Sequence, residues 1–160
     1  MDEGKLGIID FGCVKKIEND FLVDYTRLHF SLMRGVSDEE LVMQYADLGM
    51  IDEGEMEDML HFYEETIKPF DRLFIEIFND DFYDFKENRD FSKRGFELIM
   101  EVQKKQLQAV HKVNQEFIFL DRTLLGYYAM FERMGAKIDT REAVKIMQDF
   151  EVKIKNKVVN

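Results

Sequence analysis

The scarcity of proline is what most limits the folds open to this chain: Pro69 is the only one in 160 residues, accompanied by nine glycines. Pro and Gly are the residues that stop helices and make turns. A chain almost without them, and rich in Met, Leu, Glu and Lys, is expected to run in long helices with few breaks. The apolar residues recur with the matching period. Across residues 19–34, Phe21, Leu22, Tyr25, Leu28, Leu32 and Met33 fall at steps of three and four, and Gly35 supplies the stop. Ser37 with Glu40 three positions on reads as a capping box for a second helix, which Gly49 ends.

The same reasoning carries on along the chain. A third helix is expected over residues 53–67, and Pro69 should force a fresh start, after which Phe70, Phe74 and Phe78 share one face. Residues 79–91 mix aromatics with acidic groups without a period and read as a loop. Ser92 is the expected N-cap of a helix reaching residue 113, with Phe96, Ile99, Met100, Leu107 and Val110 inward and Glu101 and Lys105 as an outer pair. Residues 115–134 are apolar nearly all round and should form the most buried helix, ended by Gly135. Thr140 should cap a last helix to residue 157, with Ala143, Ile146, Met147, Phe150 and Ile154 on its apolar stripe. Only the first 17 residues differ. Residues 5–9 form a β-branched run after the turn-like Asp2-Glu3-Gly4, and residues 14–17 are placed to return beside it, with Asp10 at the crossing. The expected fold is therefore mainly α: a helical bundle over residues 18–160 that forms one compact unit with a short N-terminal β-hairpin over residues 1–17.

Charge and cysteine content narrow the function. The formal net charge is -11, and residues 38–90 hold 18 acidic against 4 basic residues. This disfavours nucleic acid as a partner, since phosphate backbones select clustered Lys and Arg; a solvated acidic face is the simplest account of the stretch. Cys13 is the only cysteine, so no internal disulfide forms and a reducing, cytoplasmic setting is expected. Its position suits a small apolar filler better than a nucleophile, because no activating His stands near it in sequence. No apolar run has membrane-spanning length. The most apolar one, residues 117–131, is interrupted by Asp121 and Arg122 and is expected to be a buried helix. Arg122 is expected to pair with a carboxylate, for which Glu116 is the candidate.

The residues with the clearest chemical meaning are Asp10, Phe11 and Gly12. An Asp-Phe-Gly at the end of a strand suits a site where nucleotide phosphates meet a divalent cation: the carboxylate gives Mg²⁺ a hard oxygen, the Phe packs beneath it, and the Gly frees the turn. The wider string Gly4-Lys5-Leu6-Gly7-Ile8-Ile9-Asp10-Phe11-Gly12-Cys13-Val14-Lys15-Lys16-Ile17 resembles the UbiB/AarF family of atypical, kinase-like proteins. Further on, Glu116-Phe117-Ile118-Phe119-Leu120-Asp121-Arg122-Thr123-Leu124-Leu125-Gly126 with Ala136-Lys137-Ile138 is similar to that family's late core helix. The resemblance implies a kinase-like C-lobe fragment, Mg²⁺ and ATP as cofactors of the full-length parent, ATPase or small-molecule kinase activity linked to quinone biosynthesis, and Asp10 as the Mg²⁺ ligand. It further implies a cytoplasmic location, or a membrane-peripheral one for the parent. The nucleotide-gripping lobe with its Lys, the Lys-x-Gly-Gln segment and the catalytic loop with its Asn have no counterpart in these residues, and no Ala-Pro-Glu follows Asp10. The chain alone is thus expected to bind no ATP and to present, towards a missing N-terminal lobe, an apolar surface prone to self-association.

Two further motifs have simpler readings. Asp58-x-x-His61 has ligand-like spacing, but a di-iron bundle needs a second such pair, and His29 and His111 do not supply one. Phe70, Phe74, Phe78 and Phe82 at four-residue steps read as a packed face rather than a lipid-gripping stripe. The second reading of the whole is an acidic all-α protein- or lipid-interaction domain without catalytic activity.

Overall fold

The computed structural model describes residues 15–106 and 114–158. The expected N-terminal strand and the motif residues Asp10, Phe11, Gly12 and Cys13 lie outside the described residues, as do Leu107, Val110 and His111. The described end of the expected hairpin, residues 15–17, has no strand structure.

From there the chain is mainly helical. Helix α1 (Asn19–Arg34) stops at Gly35, whose φ of 64° places it in the left-handed region where a side chain is costly. Helix α2 (Asp38–Asp47) begins as the sequence predicts, with the Ser37 hydroxyl accepting from the Glu40 N–H. Helix α3 (Met56–Phe62) is shorter than expected, and Pro69 does not break the chain into two helices. Instead a π-helical turn, Tyr63–Ile67, joins α3 directly to helix α4 (Lys68–Glu76), which carries Pro69 in its first turn. The widened turn accommodates a proline that has no N–H to give the preceding carbonyls.

The expected loop after α4 contains strand β1 (Phe82–Asp84). It pairs antiparallel with β2 (Lys137–Asp139), with Tyr83 opposite Ile138. The sheet therefore ties the middle of the chain to the segment after helix α6 (Gln115–Met134). Three-residue strands leave no legible alternation, which explains why the pattern along the chain missed them.

Helix α5 (Phe91–Gln106) differs from expectation at both its cap and its inward face. Ser92 lies within the helix, and its N–H is capped at 2.8 Å by the carboxylate of Glu132 from α6. Phe96 is 62% exposed and Met100 is exposed too, whereas Phe91, Gly95 and Leu98 face inward. Gly95 packs closely there: an added Cβ would stand 3.2 Å from a Leu125 methyl carbon, which would have to give by a few tenths of an ångström. Helix α6 is likewise not the most buried element. Phe117 and Tyr128 are buried, but Phe119, Arg122, Thr123, Tyr127 and Met134 face out. Helix α7 (Arg141–Val158) follows Thr140, which stands at the N-cap position with its carbonyl accepting from the Val144 N–H at 3.0 Å, while its hydroxyl donates to the Asp80 carbonyl. Ile146, assigned to its apolar stripe, is 60% exposed.

Two apolar clusters fill the interior. One joins Leu28, Val42, Tyr45, Leu48, Met59, Tyr63 and Ile67 with Phe117. The other joins Leu73, Ile77, Tyr83, Phe85, Phe91 and Tyr128. Helix α6 contributes to both, and the π-helical turn and α4, which follow one another without a break, contribute to one cluster each, so the seam crosses α6 and the passage from that turn into α4.

Candidate functional site

Of the residues that follow the Asp-Phe-Gly motif, Lys15 is the first described. Its Nζ lies 2.8 Å from Glu116 Oε1 and 5.3 Å from the centre of the Phe119 ring. The chain leaving the motif is thus fastened to the first turn of α6. Glu116 therefore serves Lys15, not Arg122 as the sequence suggests. Arg122 needs no buried partner because it faces solvent.

The strongest electrostatic perturbation lies elsewhere, on the seam between the apolar clusters. Asp71 in α4 is only 7% exposed. Its two oxygens accept hydrogen bonds from the hydroxyls of Tyr45 in α2 and Tyr63 in the π-helical turn, the latter at 2.8 Å. Asp121 in α6 is partly buried, with the Tyr25 hydroxyl of α1 at 3.5 Å. Burial pushes both carboxyls up to about 7, and a neighbouring carboxylate adds to each rise: Asp38 acts on Asp71, and Asp71 on Asp121. The tyrosine hydroxyls oppose this by favouring the charged forms, but desolvation wins. The same burial raises Tyr25, Tyr45 and Tyr63, and pushes Tyr128 up to about 12.

These positions follow from helical phase. Asp71 stands four residues after Ile67 and three before Phe74, and Asp121 stands four after Phe117 and seven before Tyr128, so each occupies an inward position of its helix. That phase was the available signal for both. Asp121 was legible only as an interruption of an apolar run, and Asp71 not at all.

His29 sits beside this cluster. Its Nδ1 lies 2.8 Å from the Tyr25 carbonyl, which can only accept, so Nδ1 carries the proton; burial holds the ring's pKa below the usual histidine range. His61 and Asp58 are exposed, and among the described residues no three His, Cys, Asp or Glu side chains converge to hold a metal ion.

A third polar unit braces the sheet. The Arg94 guanidinium grips Glu76 through two hydrogen bonds of 2.7 and 2.9 Å, and the Tyr83 hydroxyl donates to the same carboxylate at 2.6 Å. Arg94 holds Glu76 below the usual carboxylate range. Two open grooves, each of about 700 Å³, mark the surface. The first runs along Asp80, Asp81, Phe82, Thr140 and Arg141; the second is lined by Lys86, Arg89, Ser92, Glu132 and Arg133. Phe82, extrapolated from the Phe70 series as core, is an exposed wall of the first, with Arg141 and Lys137 over its ring at 4.8 and 5.7 Å. Neither groove reaches Asp71 or Asp121.

No protein-family model, curated protein or solved structure matches this chain. No helix among the described residues is long and apolar enough to cross a membrane. The buried Asp-Tyr cluster is closed to the grooves, and the one residue chosen for phosphate chemistry, Asp10, precedes the described part.

Proposed function

We propose that this chain is the helical C-terminal portion of a UbiB/AarF-type atypical kinase or ATPase, with Asp10 supplying a Mg²⁺ ligand beside the phosphates of ATP. The observation that carries the reading is the 2.8 Å contact between Lys15 and Glu116. Lys15, from the end of the family-like string, and Glu116, from the start of the family-like helix, are far apart in sequence, yet they meet in space. The short path from Gly12 to the start of α1 at Asn19 is consistent with a motif that runs straight into helices without a protein-kinase activation segment. On this reading Phe11 and Gly12 shape the turn that holds Asp10. A quinone-linked role, a cytoplasmic or membrane-peripheral parent, and a complementary N-terminal lobe follow from the same family.

A single carboxylate does not hold Mg-ATP, because the metal needs further oxygen ligands and most of the affinity comes from loops and a Lys on the phosphates. The chain alone should therefore show no micromolar affinity for Mg-ATP by calorimetry. The gene read upstream of Met1 should continue in frame through a catalytic loop, and the protein extended through it should gain micromolar affinity that Asp10→Ala removes. Affinity unaffected by Asp10→Ala would overturn the proposal.

The apolar groups that α5 and α6 leave exposed, Phe96, Met100, Phe119, Tyr127 and Met134, fit a surface turned towards a missing lobe and fit equally a second reading, an acidic interaction domain. Light scattering at rising concentration tests for self-association through them. Replacing Phe96 and Tyr127 with Ser should suppress it, and a monomer at every concentration would count against the apolar surface that both readings expect.

A further inference from the structure

We propose that Asp71 and Asp121 form a proton-operated joint between the two apolar clusters: with a proton on the pair the seam is closed, and with both carboxylates ionised it loosens. The argument rests first on placement. Ile67 of the π-helical turn and Phe117 of α6 belong to one cluster, Leu73 of α4 and Tyr128 of α6 to the other, and along each stretch an aspartate lies between the two members. The two helical stretches that pass from one cluster to the other therefore each carry a carboxyl group at the crossing, where a packed core would place a hydrocarbon.

The partners come next. Asp71 is held by two phenol hydroxyls, from Tyr45 and Tyr63, and Asp121 has the Tyr25 hydroxyl at the outer limit of hydrogen-bonding distance. The charged and titratable groups facing the pair are Tyr25 of α1, Tyr45 and Asp38 of α2, Tyr63 of the π-helical turn, Lys68 of α4, and Tyr128 of α6. Lys68, the cation among them, is spent on Asp38, to which its Nζ is bonded. Phenols stabilise a carboxylate less than an ion pair does, and Lys68, already bonded to Asp38, offsets the Asp71 charge by less than burial disfavours it. A neutral Asp71 fits the same cage, since its O–H can donate to one tyrosine oxygen while its carbonyl accepts from the other. The charge of Asp71 adds to the rise of Asp121, and Asp71 is the more deeply buried of the two.

The direction follows from linkage. Both carboxyls are raised on folding from 3.8 to about 7, so the folded state holds protons that the unfolded chain has released. Stability is full below the unfolded value, falls as pH rises towards 7, and levels off above it. For one proton this raises the unfolding constant of the order of a hundredfold between pH about 5 and about 8.

The test is urea unfolding followed by circular dichroism at those two pH values, on the wild type and on Asp71→Asn. Asn keeps the shape and cannot ionise. The wild-type midpoint should be higher at the lower pH, and Asp71→Asn should raise the midpoint at the higher pH and flatten the difference. A wild-type midpoint that is equal or higher at pH about 8, or an Asp71→Asn protein with the wild-type slope, overturns the proposal. Should that variant not fold, ¹³C titration of the aspartate carboxyls in the wild type decides: at least one should titrate near neutrality, and a full set titrating near the ordinary value of about 4 refutes the joint.

Discussion

Replacing Phe85 with Ala should cost most of what a large core side chain contributes, while the same change at Phe96 should cost almost nothing. Phe85 is 0% exposed, and its ring centre lies 4.7 Å from that of Tyr83, 5.7 Å from Phe91, 5.8 Å from Phe131 and 6.1 Å from Tyr128. Its neighbours come from β1, α5 and α6, and the Phe85 N–H is held by the Ala136 carbonyl at 2.9 Å, so little can collapse into the space left behind. Buried Phe→Ala changes cost about 3–5 kcal/mol, and confinement places this one toward the upper end. For a chain of this size each kcal/mol moves the melting temperature by about 2–4 °C, so a fall of about 10–20 °C is expected. Phe96 is 62% exposed, and its loss should stay within about 0.5 kcal/mol. Thermal unfolding of the two variants side by side reads the difference. A loss above about 2 kcal/mol at Phe96, or equal losses at both positions, would mean that α5 is rotated and the second cluster wrongly assigned.

Other substitutions probe separate parts of the fold. Glu132→Ala should destabilise by about 1 kcal/mol by uncapping α5, whereas Ser92→Ala should be neutral or slightly favourable, because the buried Ser92 hydroxyl has no partner; urea midpoints compare the two. Glu76→Gln should cost about 1–2 kcal/mol at pH 7 through the weakened Arg94 grip. Since Arg94 depresses the Glu76 pKa, that contribution is present above the unfolded carboxylate value and is lost as pH falls through the folded one. The wild type and Glu76→Gln should therefore converge in strong acid. Gly35→Ala should cost about 1 kcal/mol from the positive φ alone, because nothing lies within 4 Å of the added methyl; thermal unfolding measures it.

How much of this was legible from the residues depends on the range of the determining interaction. The stops at Gly35 and Gly135, the Ser37–Glu40 cap and the existence of α1, α2, α6 and α7 rest on neighbours within one or two turns, and the sequence shows them. The cap of α5 comes from Glu132, forty residues away, and the β1–β2 pairing spans more than fifty, so local pattern pointed to Ser92 and to a loop. The inward face of α5 was misjudged because Phe96 and Met100 share a helical face as naturally as Phe91, Gly95 and Leu98 do. The face that turns in packs Gly95 against Leu125 of α6 and Leu73 of α4, contacts that no local pattern announces. The buried aspartates were hidden for the opposite reason: residue type argued for the surface, while helical phase placed them inside.

The claim on which the functional account depends is that Asp10 meets a metal beside phosphate oxygens. The most direct measurement uses Mn-ATP with the ¹⁵N-labelled protein extended upstream through the catalytic loop, reading paramagnetic broadening residue by residue. The account predicts that the amides of Asp10, Phe11 and Gly12 broaden first and that Asp10→Ala abolishes the effect. Broadening centred on the acidic residues 38–90, with residues 10–12 left sharp, would contradict it.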